Sequence, residues 1–222
     1  MLVAAAACGC ARRQAGDRAV RPSPKSLVAF AESFDQLDPA VWREVEVKGK
    51  TVYQIVEMDG GRVLKSESHG QASILLHSCR FHPAEYPWLS WRWRVDQFVE
   101  GENFKIKNGS DAPLRVYVYF DTGSLPWQKR NVDYVWSSVL PVDTLLTSPF
   151  SGLSKLLVVE SGRSAQGKWR SMTRNVAEDY RRCFGQDPPD IVAIGLMTDT
   201  DSTGHDAIAY IDDVRLHRDP SP

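Results

Sequence analysis

The sequence predicts an all-β fold, a two-sheet antiparallel β-sandwich or jelly roll with one short helix near residues 176–184. Three observations support this prediction. Short runs of alternating apolar and polar residues follow one another closely, with Gly, Pro, Asp or Asn between them. A single segment carries a clear helical pattern, and the chain shows no internal repeat. Many short strands without a repeat are typical of two packed antiparallel sheets.

The length and charge of the chain limit its class. A chain of 222 residues with 42% hydrophobic content supports one well-buried core. We predict a leader remnant at 1–10, a disordered linker at 11–26, one sandwich domain at 27–217 and a tail at 218–222. The 27 Lys and Arg residues nearly balance the 28 Asp and Glu residues, so the net charge does not attract nucleic acid. We therefore expect no nucleic-acid partner, and the oligomeric state stays open.

The N-terminus reads MLVAAAACGCARRQ, an apolar run of small residues that ends at Cys8 and Cys10 before two arginines. Such a run is typical of the end of a secretory signal. Small residues directly before a cysteine also resemble a bacterial lipoprotein cleavage box, in which Cys8 or Cys10 is lipidated. A disordered cytoplasmic leader is the alternative. We expect an exported protein, periplasmic or anchored to the membrane by an N-terminal lipid only, whose true start stays open.

The remaining cysteines are Cys79 and Cys183. In an oxidising compartment they would be able to form one disulfide. Two unpaired buried thiols are the preferred interpretation.

The predicted strands follow a polar linker that ends near Ser26. Their bounds in chain order are 52–58, 62–68, 72–77, 88–95, 114–121, 133–139, 156–160, 169–173, 191–198 and 208–216. The predicted helix lies between the predicted strands 169–173 and 191–198. Asn175 is its N-cap, Glu178 completes a capping box, and Gly185 ends it.

Alternation along two strands separates an apolar face from a face with arginine and aromatic groups. In WLSWRWRV the apolar set is Leu89, Trp91, Trp93 and Val95, and in LRVYVYFD it is Leu114, Val116, Val118 and Phe120. We assign these sets to the core. If both strands lie in one sheet, the opposite faces form one wet surface of guanidinium groups and rings. Its predicted ligand-binding residues are Arg92, Arg94, Arg115, Tyr117, Tyr119, Tyr134 and Trp136.

Flat rings stack on the apolar faces of sugars, and guanidinium groups make forked bonds to carboxylate, sulfate or phosphate. This surface is therefore a candidate binding face for a carbohydrate or an anionic polymer. The alternative is that this surface binds nothing. The Arg and Tyr side chains then pack their apolar parts on the sheet and keep their polar groups in water.

The stretch LMTDTDSTG places short polar residues directly after an apolar strand. Asp199 and Asp201 fit positions 1 and 3 of a calcium loop, but Tyr210 stands where an EF-hand needs Glu. No helices are predicted on either side of the stretch, so a true EF-hand is excluded. A looser calcium site that includes Asp206 and a catalytic carboxylate pair are two further interpretations. We prefer a rigid turn ordered by Asx-type bonds, with structural calcium as an optional addition.

The chain contains, in this order, the motifs WLSWRWRV, GSDAPLRVYVYF, YVWSS, VVESG, GKW, DYRRCFG, LMTDTDSTG and AYIDDVRL. In this combination it resembles a bacterial family of exported proteins, domain-of-unknown-function family 3047, and the resemblance runs from about Phe34 to Leu216. The resemblance implies an exported β-sandwich and no established activity. The family pattern has Gly-Asp-Asp before Ala-Pro, whereas this chain has Gly109, Ser110 and Asp111, which puts an essential role for the first Asp in doubt.

The closing AYIDDVRL also resembles the last strand of carbohydrate-binding jelly rolls, of the concanavalin-like or galactose-binding-like kind. There an acidic residue helps to hold a structural calcium with ligands from the first strand. By that resemblance Asp212, with Glu32 or Asp35, is a second metal candidate.

Two functions from different classes follow. The first is a binding module of the cell envelope that holds a glycan or another anionic envelope polymer on the Arg/Tyr face. The second is a glycan-acting hydrolase or lyase on the same scaffold, whose acid and base come from Asp111, Asp199 or Asp201, with Asp121 as a further candidate. No G-x-S-x-G, H-E-x-x-H or phosphate-loop motif occurs, so the sequence leaves catalysis open.

Overall fold

The computed structural model describes residues 26–125 and 128–220. These residues form thirteen strands, one 3-10 turn and one α-helix. The elements in chain order are β1 Val28–Glu32, β2 Arg43–Lys48, β3 Val52–Met58, β4 Gly61–His69, β5 Ala72–Phe81, β6 Trp88–Gln97, the 3-10 turn Lys107–Gly109, β7 Ala112–Phe120, β8 Arg130–Ser137, β9 Leu145–Ser148, β10 Ser151–Ser161, β11 Arg170–Asn175, α1 Val176–Phe184, β12 Ile191–Asp199 and β13 Asp206–His217.

The strands build two sheets, which confirms the predicted all-β sandwich with one short helix. The six-stranded sheet has the order β11-β6-β13-β4-β3, and β1 pairs with the C-terminal part of β13. The seven-stranded sheet has the order β2-β5-β12-β7-β8-β10-β9. One detail differs from the prediction, because β8 and β10 pair in parallel while all other pairs are antiparallel.

The core lies between the two sheets, and the predicted alternation is correct. Every residue of the two apolar sets is at most 2% exposed. The sheets meet through large rings: Trp91 and Tyr134 have centroids 5.4 Å apart, and Trp93 and Trp136 have centroids 5.9 Å apart. Aromatic pairs at such distances add favourable packing to the burial of their large apolar area.

The helix α1 has the predicted bounds and closes one end of the sandwich. The Asn175 side chain accepts a hydrogen bond from the Glu178 backbone N–H at 3.1 Å, and Gly185 adopts the left-handed conformation with φ 68°. Tyr180, on the buried face of the helix, places its ring 4.4 Å from that of Phe120. The helix is thereby fixed to the inner face of β7.

Three strands of the structure, β1, β2 and β9, are not among the predicted strands. Strand β2 lies at a sheet edge with most of its residues exposed, so its sequence REVEVK lacks a buried apolar set. Strand β9 has only four residues and also lies at an edge.

Cys79 and Cys183 are separate thiols, Cys79 buried and Cys183 half-buried. Burial raises the pKa of each thiol to about 12. Within residues 26–125 and 128–220, no helix combines the length and the apolar run that crossing a bilayer requires. The predicted leader, the lipidation site at Cys8 or Cys10 and almost all of the linker lie outside the described residues.

We expect Trp93→Ala to lower the free energy of unfolding by about 3–5 kcal/mol, because it opens a cavity between the sheets. Arg94→Ala on the neighbouring, outward position should cost about 1 kcal/mol or less, since Arg94 is a partly exposed residue paired with Asp96. Urea denaturation of both variants measures the difference. Similar losses in the two variants would show that the assignment of faces is wrong.

Candidate functional site

The predicted binding residues of β6 and β7 do not share a surface. Arg92 and Arg94 project from the outer face of the six-stranded sheet, while Arg115, Tyr117 and Tyr119 project from the outer face of the seven-stranded sheet. The prediction of one joint face assumed that β6 and β7 lie in the same sheet, and that assumption is wrong. The two sets lie on opposite sides of the sandwich.

Tyr134 and Trp136 are core residues and not ligand-binding residues of the predicted face. Both are 0% exposed, and each satisfies its polar atom internally. The Tyr134 hydroxyl donates to Asp179 Oδ2 at 2.9 Å, and Trp136 Nε1 donates to the Gly162 carbonyl at 3.0 Å. The alternation of β8 explains the error, because Val132 shares their buried face while Asp133 points outward.

The arginines of the six-stranded sheet are already paired with carboxylates. Arg92 donates to Asp212 Oδ2 through Nη2 at 2.5 Å, and its guanidinium lies 4.7 Å from the centroid of the Trp169 ring. Arg94 donates to Asp96 through Nε at 2.6 Å and Nη2 at 3.1 Å. In both arginines Nε and Nη2 are bonded to a carboxylate, and Nη1 makes no hydrogen bond to the described residues, so each guanidinium keeps only part of its donors for a ligand.

Tyr117 and Tyr119 form a stacked pair on the outer face of β7. Their ring centroids are 5.6 Å apart, with an interplanar angle of 27°. Gly195 of the neighbouring strand β12 makes room for this arrangement, because a Cβ atom there would lie 3.2 Å from Tyr119 Cε2 and 2.7 Å from Ile74 Cδ1. The glycine therefore lets these side chains lie close to the sheet.

The tyrosine pair continues into an apolar surface across β12, β5 and β2. Ile74 and Met197 are less than a tenth exposed and form one cluster with the half-buried tyrosines. We call this surface the tyrosine face, and it consists of Tyr117, Tyr119, Ile74, Leu76, Met197 and Val45. The solvent side of an antiparallel sheet is ordinarily polar, so an apolar and aromatic outer face indicates an interaction surface.

The connection between the sheets borders the tyrosine face. Residues 98–111, which we call the covering segment, lead from β6 to β7 and bring Phe104 onto the outer face of β8 and β10. Phe104 is 1% exposed and packs against Val135, Leu156 and Val158. The tyrosine face thus extends from the covering segment to the edge strand β2. Burial raises the pKa of Tyr117 well above its ordinary value, so its hydroxyl stays a neutral donor.

Beside the tyrosine face, Arg115 forms the centre of a buried ion network. Its guanidinium donates to Asp133 Oδ2 at 2.5 Å, to Asp199 Oδ1 at 2.8 Å and to the Ser110 carbonyl at 2.8 Å. Arg115 is 3% exposed, and Phe104 covers it with the ring centroid 5.3 Å away. The predicted ligand-binding role of Arg115 is therefore wrong, because its donors are used inside the protein.

The structure brings together the three predicted catalytic candidates, Asp111, Asp199 and Asp201. One oxygen atom from each lies within 4.8 Å of one oxygen atom from each of the others. We call this group the carboxylate cluster. Burial raises the pKa of Asp199 to about 7, although Arg115 opposes the shift. Burial also raises the pKa of Asp201, and the negative charge of Asp111 adds to that shift.

The loop after β12 is ordered mainly by a carboxylate from elsewhere in the chain. Asp111, at the end of the covering segment, accepts hydrogen bonds from the backbone N–H groups of Ser202 and Thr203, the latter at 2.6 Å. The prediction that Asx-type bonds within the loop order this turn is therefore wrong, because the carboxylate that accepts the bonds belongs to Asp111. Asp111 is 0% exposed and connects two loops that are distant in sequence.

The arrangement of the carboxylate cluster does not suit glycoside hydrolysis. The two carboxyl groups of a glycosidase stand about 5–9.5 Å apart on opposite sides of the scissile bond. Here Asp111 and Asp199 are at most 5% exposed and crowd against each other, which leaves no space for a sugar between them. Asp121, the further candidate, is bound to Arg80 at 2.9 Å and also to Lys129.

The predicted metal ligand Asp212 lies in the other sheet and does not join Asp199 and Asp201. It is paired with Arg92, and the Glu32 carboxylate accepts bonds from Phe34 N and Trp42 Nε1, both at 2.9 Å. Across residues 26–125 and 128–220, the carboxylate cluster is the one group of three or more acidic, His or Cys side chains with metal-ligand spacing. The structure therefore does not support the predicted second metal site at Asp212 with Glu32 or Asp35, because Asp212 and Glu32 are bonded to other groups.

Comparison with known proteins identifies the family. The family model described as "Protein of unknown function (DUF3047)" matches residues 40–215. The chain belongs to this family. The match confirms the resemblance drawn from the sequence motifs, and it places the tyrosine face and the carboxylate cluster within the part of the chain that DUF3047 covers. No curated protein matches the chain.

Solved structures with some likeness to this DUF3047 chain include three described as binding polysaccharides. A module specific for non-crystalline cellulose, CBM28, is 12% identical, with a TM-score of 0.46 and coverage of 90% of this chain and 96% of that one. The xylan-binding CBM22-1 domain of Paenibacillus barcinonensis Xyn10C is 12% identical, with a TM-score of 0.42 and coverage of 86% and 93%. The mannan-recognising module TmCBM27 is 14% identical, with a TM-score of 0.40 and coverage of 86% and 97%. Since these scores are low, the fold assignment rests on the strand pairing of this chain itself.

We expect Arg115→Met to lower the free energy of unfolding by about 3–5 kcal/mol, because it leaves the buried carboxylates of Asp133 and Asp199 without their cation. Adding Asp133→Asn should restore part of the loss, since it removes one uncompensated charge. Arg94→Met is the matched control on a partly exposed pair and should cost about 1 kcal/mol or less. Urea denaturation compares the variants, and equal losses for Arg115→Met and Arg94→Met would contradict the buried network.

Proposed function

We propose that this protein is a glycan-binding module whose binding site is the tyrosine face. One observation carries the proposal: Tyr117 and Tyr119 stack side by side on an outer sheet face that is otherwise apolar. A contiguous apolar and aromatic patch on the solvent-facing side of a sheet is typical of an interaction site.

The chemistry of the tyrosine face fits a sugar ring better than an ion. Pyranose rings have an apolar C–H face that packs on aromatic rings, and the edge of the ring carries hydroxyl groups. Tyrosine supplies both partners, because its ring is flat and apolar while its hydroxyl is a hydrogen-bond donor and acceptor. Ile74 and Met197 extend the apolar floor beyond the two rings.

Charge has a small part in this mode of binding. Arg115 is buried, and Arg92 and Arg94 each use Nε and Nη2 on a carboxylate, so these arginines offer an anionic polymer fewer donors than predicted. The edge strand β2 adds Arg43, which is exposed and stands opposite Leu76 in the strand register. We therefore favour a glycan held by stacking, with Arg43 as a donor to hydroxyl groups at the rim.

The location of this activity rests on the N-terminal sequence. The proposal places the module in the cell envelope, as an exported protein that is periplasmic or held to the membrane through lipidated Cys8 or Cys10. An envelope protein meets polysaccharides there, which agrees with a glycan as the partner.

The test is a glycan-array screen followed by calorimetry with the polysaccharide that binds best. Tyr117→Ala and Tyr119→Ala should each raise the dissociation constant about tenfold, or about 1.4 kcal/mol, because each removes one stacking ring. Binding should change little between low and high salt, since charge contributes little. Product analysis on the same mixture reports any cleavage and so tests the hydrolase or lyase alternative.

Trp169→Ala is the matched control, because Trp169 is a half-buried ring on the other side of the sandwich, next to Arg92. It should leave the dissociation constant unchanged. A loss of affinity in Trp169→Ala with none in the tyrosine variants would move the binding site to the six-stranded sheet and overturn the proposal.

A further inference from the structure

We propose that Ser90 is a nucleophile activated by His217, and that this pair hydrolyses esters of short acyl groups in a cavity on the outer face of the six-stranded sheet. This inference does not depend on glycan binding, because the tyrosine face lies on the opposite side of the sandwich. It follows from the hydrogen bonds of the pair, from a bulge in β13, and from the donors that line the cavity.

The Ser90 hydroxyl is bonded to a histidine in the tautomer that accepts its proton. Ser90 Oγ lies 2.9 Å from His217 Nε2. The other ring nitrogen, Nδ1, is bonded to the backbone carbonyl of Asp219. Because a carbonyl oxygen only accepts, Nδ1 carries the hydrogen and Nε2 is the acceptor for the Ser90 proton. A hydroxyl bonded to a base that a third group orients is the arrangement of an activated serine.

A bulge in β13 brings His217 to the face that carries Ser90. Asp212 stands opposite Arg92, and Arg215 stands opposite Ser90, so β13 contains one more residue than β6 over this stretch. The extra residue reverses the alternation of the rest of β13. Without it, His217 would point into the core and would not reach the Ser90 hydroxyl.

The bulge contains a residue in an unfavourable backbone conformation. Asp213 has a φ of 52°, in the left-handed region that costs free energy for a residue with a side chain. Bulges and such conformations are over-represented next to active sites, where they change the direction of a side chain. Here the side chain that changes direction is His217, and its partner is Ser90.

Ser90 lines a cavity that suits a small substrate. The cavity has a volume of about 180 Å³ and also presents the hydroxyl residues Ser171 and Thr173. Pockets that bury a drug-sized ligand are larger, at about 300–1,000 Å³. Ser90 is 5% exposed and His217 is 3% exposed, so the pair is shielded from bulk water. A space of this size takes an acetyl group and excludes a long acyl chain.

Two arginines at the same cavity supply donors for a developing negative charge. Arg92 and Arg215 both line the cavity. Arg92 uses Nε and Nη2 on Asp212, and Arg215 uses Nη2 on Asp213 Oδ1 at 2.8 Å. Arg92 Nη1 and the Nε and Nη1 groups of Arg215 make no hydrogen bond to residues 26–125 and 128–220. These groups are available to the oxyanion that forms when Ser90 attacks a carbonyl carbon.

The reaction consists of an acylation and a hydrolysis. Ser90 Oγ forms a bond to the carbonyl carbon of the ester, and its proton passes to His217 Nε2. The bond between the carbonyl carbon and the alcohol oxygen then breaks, and the alcohol leaves with that proton. Water next attacks the acyl group on Ser90 and gives a proton to His217 Nε2. The carboxylic acid leaves, and the proton returns to Ser90 Oγ.

The experiment treats the full-length protein with a fluorophosphonate probe, which labels activated serines, and locates the label by peptide mass spectrometry. We expect a single label, on Ser90. In parallel, the hydrolysis of 4-nitrophenyl acetate and of 4-nitrophenyl octanoate is followed by absorbance. The acetate ester should have a kcat/KM at least about tenfold above that of the octanoate ester, because the cavity excludes the long chain.

Ser90→Ala should lose the label, and Ser90→Ala and His217→Gln should each lower kcat/KM for the acetate ester at least about a hundredfold, because the nucleophile or its base is removed. Ser68→Ala is the matched control. Ser68 is a buried serine whose hydroxyl is bonded to the Thr200 hydroxyl at 2.8 Å and not to an imidazole. This variant should keep both the label and the rate, and the melting temperature of each variant reports whether it is folded.

The proposal is overturned if the wild type stays unlabelled, if the label lies on a residue other than Ser90, or if folded Ser90→Ala hydrolyses the acetate ester as fast as Ser68→Ala. The site of the label is read on the wild type, so this result does not depend on the folding of a variant. An equal kcat/KM for the two esters would overturn the assignment to short acyl groups.

Discussion

The buried guanidinium of Arg115 is the interaction on which the arrangement of the seven-stranded sheet depends. Its donors connect three neighbouring strands and the covering segment, through Asp133 of β8, Asp199 of β12 and the Ser110 carbonyl. A charge buried to this degree is tolerated only when its donors are satisfied. Phe104 covers the Arg115 guanidinium, and Phe104 belongs to the covering segment. The covering segment must therefore lie across β8 and β10 to exclude water from the ion network.

This constraint explains why the two candidate sites lie side by side. The covering segment occupies the outer face over β8 and β10, so the part of the face over β7, β12 and β5 is left for the tyrosine face. The same segment ends at Asp111, which it delivers to the loop after β12. One crossover between the sheets thus shapes a stacking surface on one side and a carboxylate cluster on the other.

Local patterns in the sequence predicted much of the fold. Strand β3 and helix α1 have their predicted bounds, because alternation and capping are properties of neighbouring residues. The carboxylates Asp111, Asp199 and Asp201 were selected for their residue type and their place beside strand ends. Strand β2 was not predicted, because an edge strand exposed to solvent on both faces lacks the alternating apolar residues by which a strand is recognised.

The sequence by itself determined which side chains of a strand share a face, since successive residues of a strand point to opposite sides. Alternation therefore placed Trp91 and Trp93 in the core and set Tyr117 beside Tyr119. Only the tertiary structure decided that β6 and β7 belong to different sheets, because strand pairing joins residues far apart in the chain. It also decided that Arg115 is buried while Tyr117, two residues away on the same face, remains half-exposed. The reason is that Phe104, from a separate segment, covers the guanidinium and stops short of the two rings.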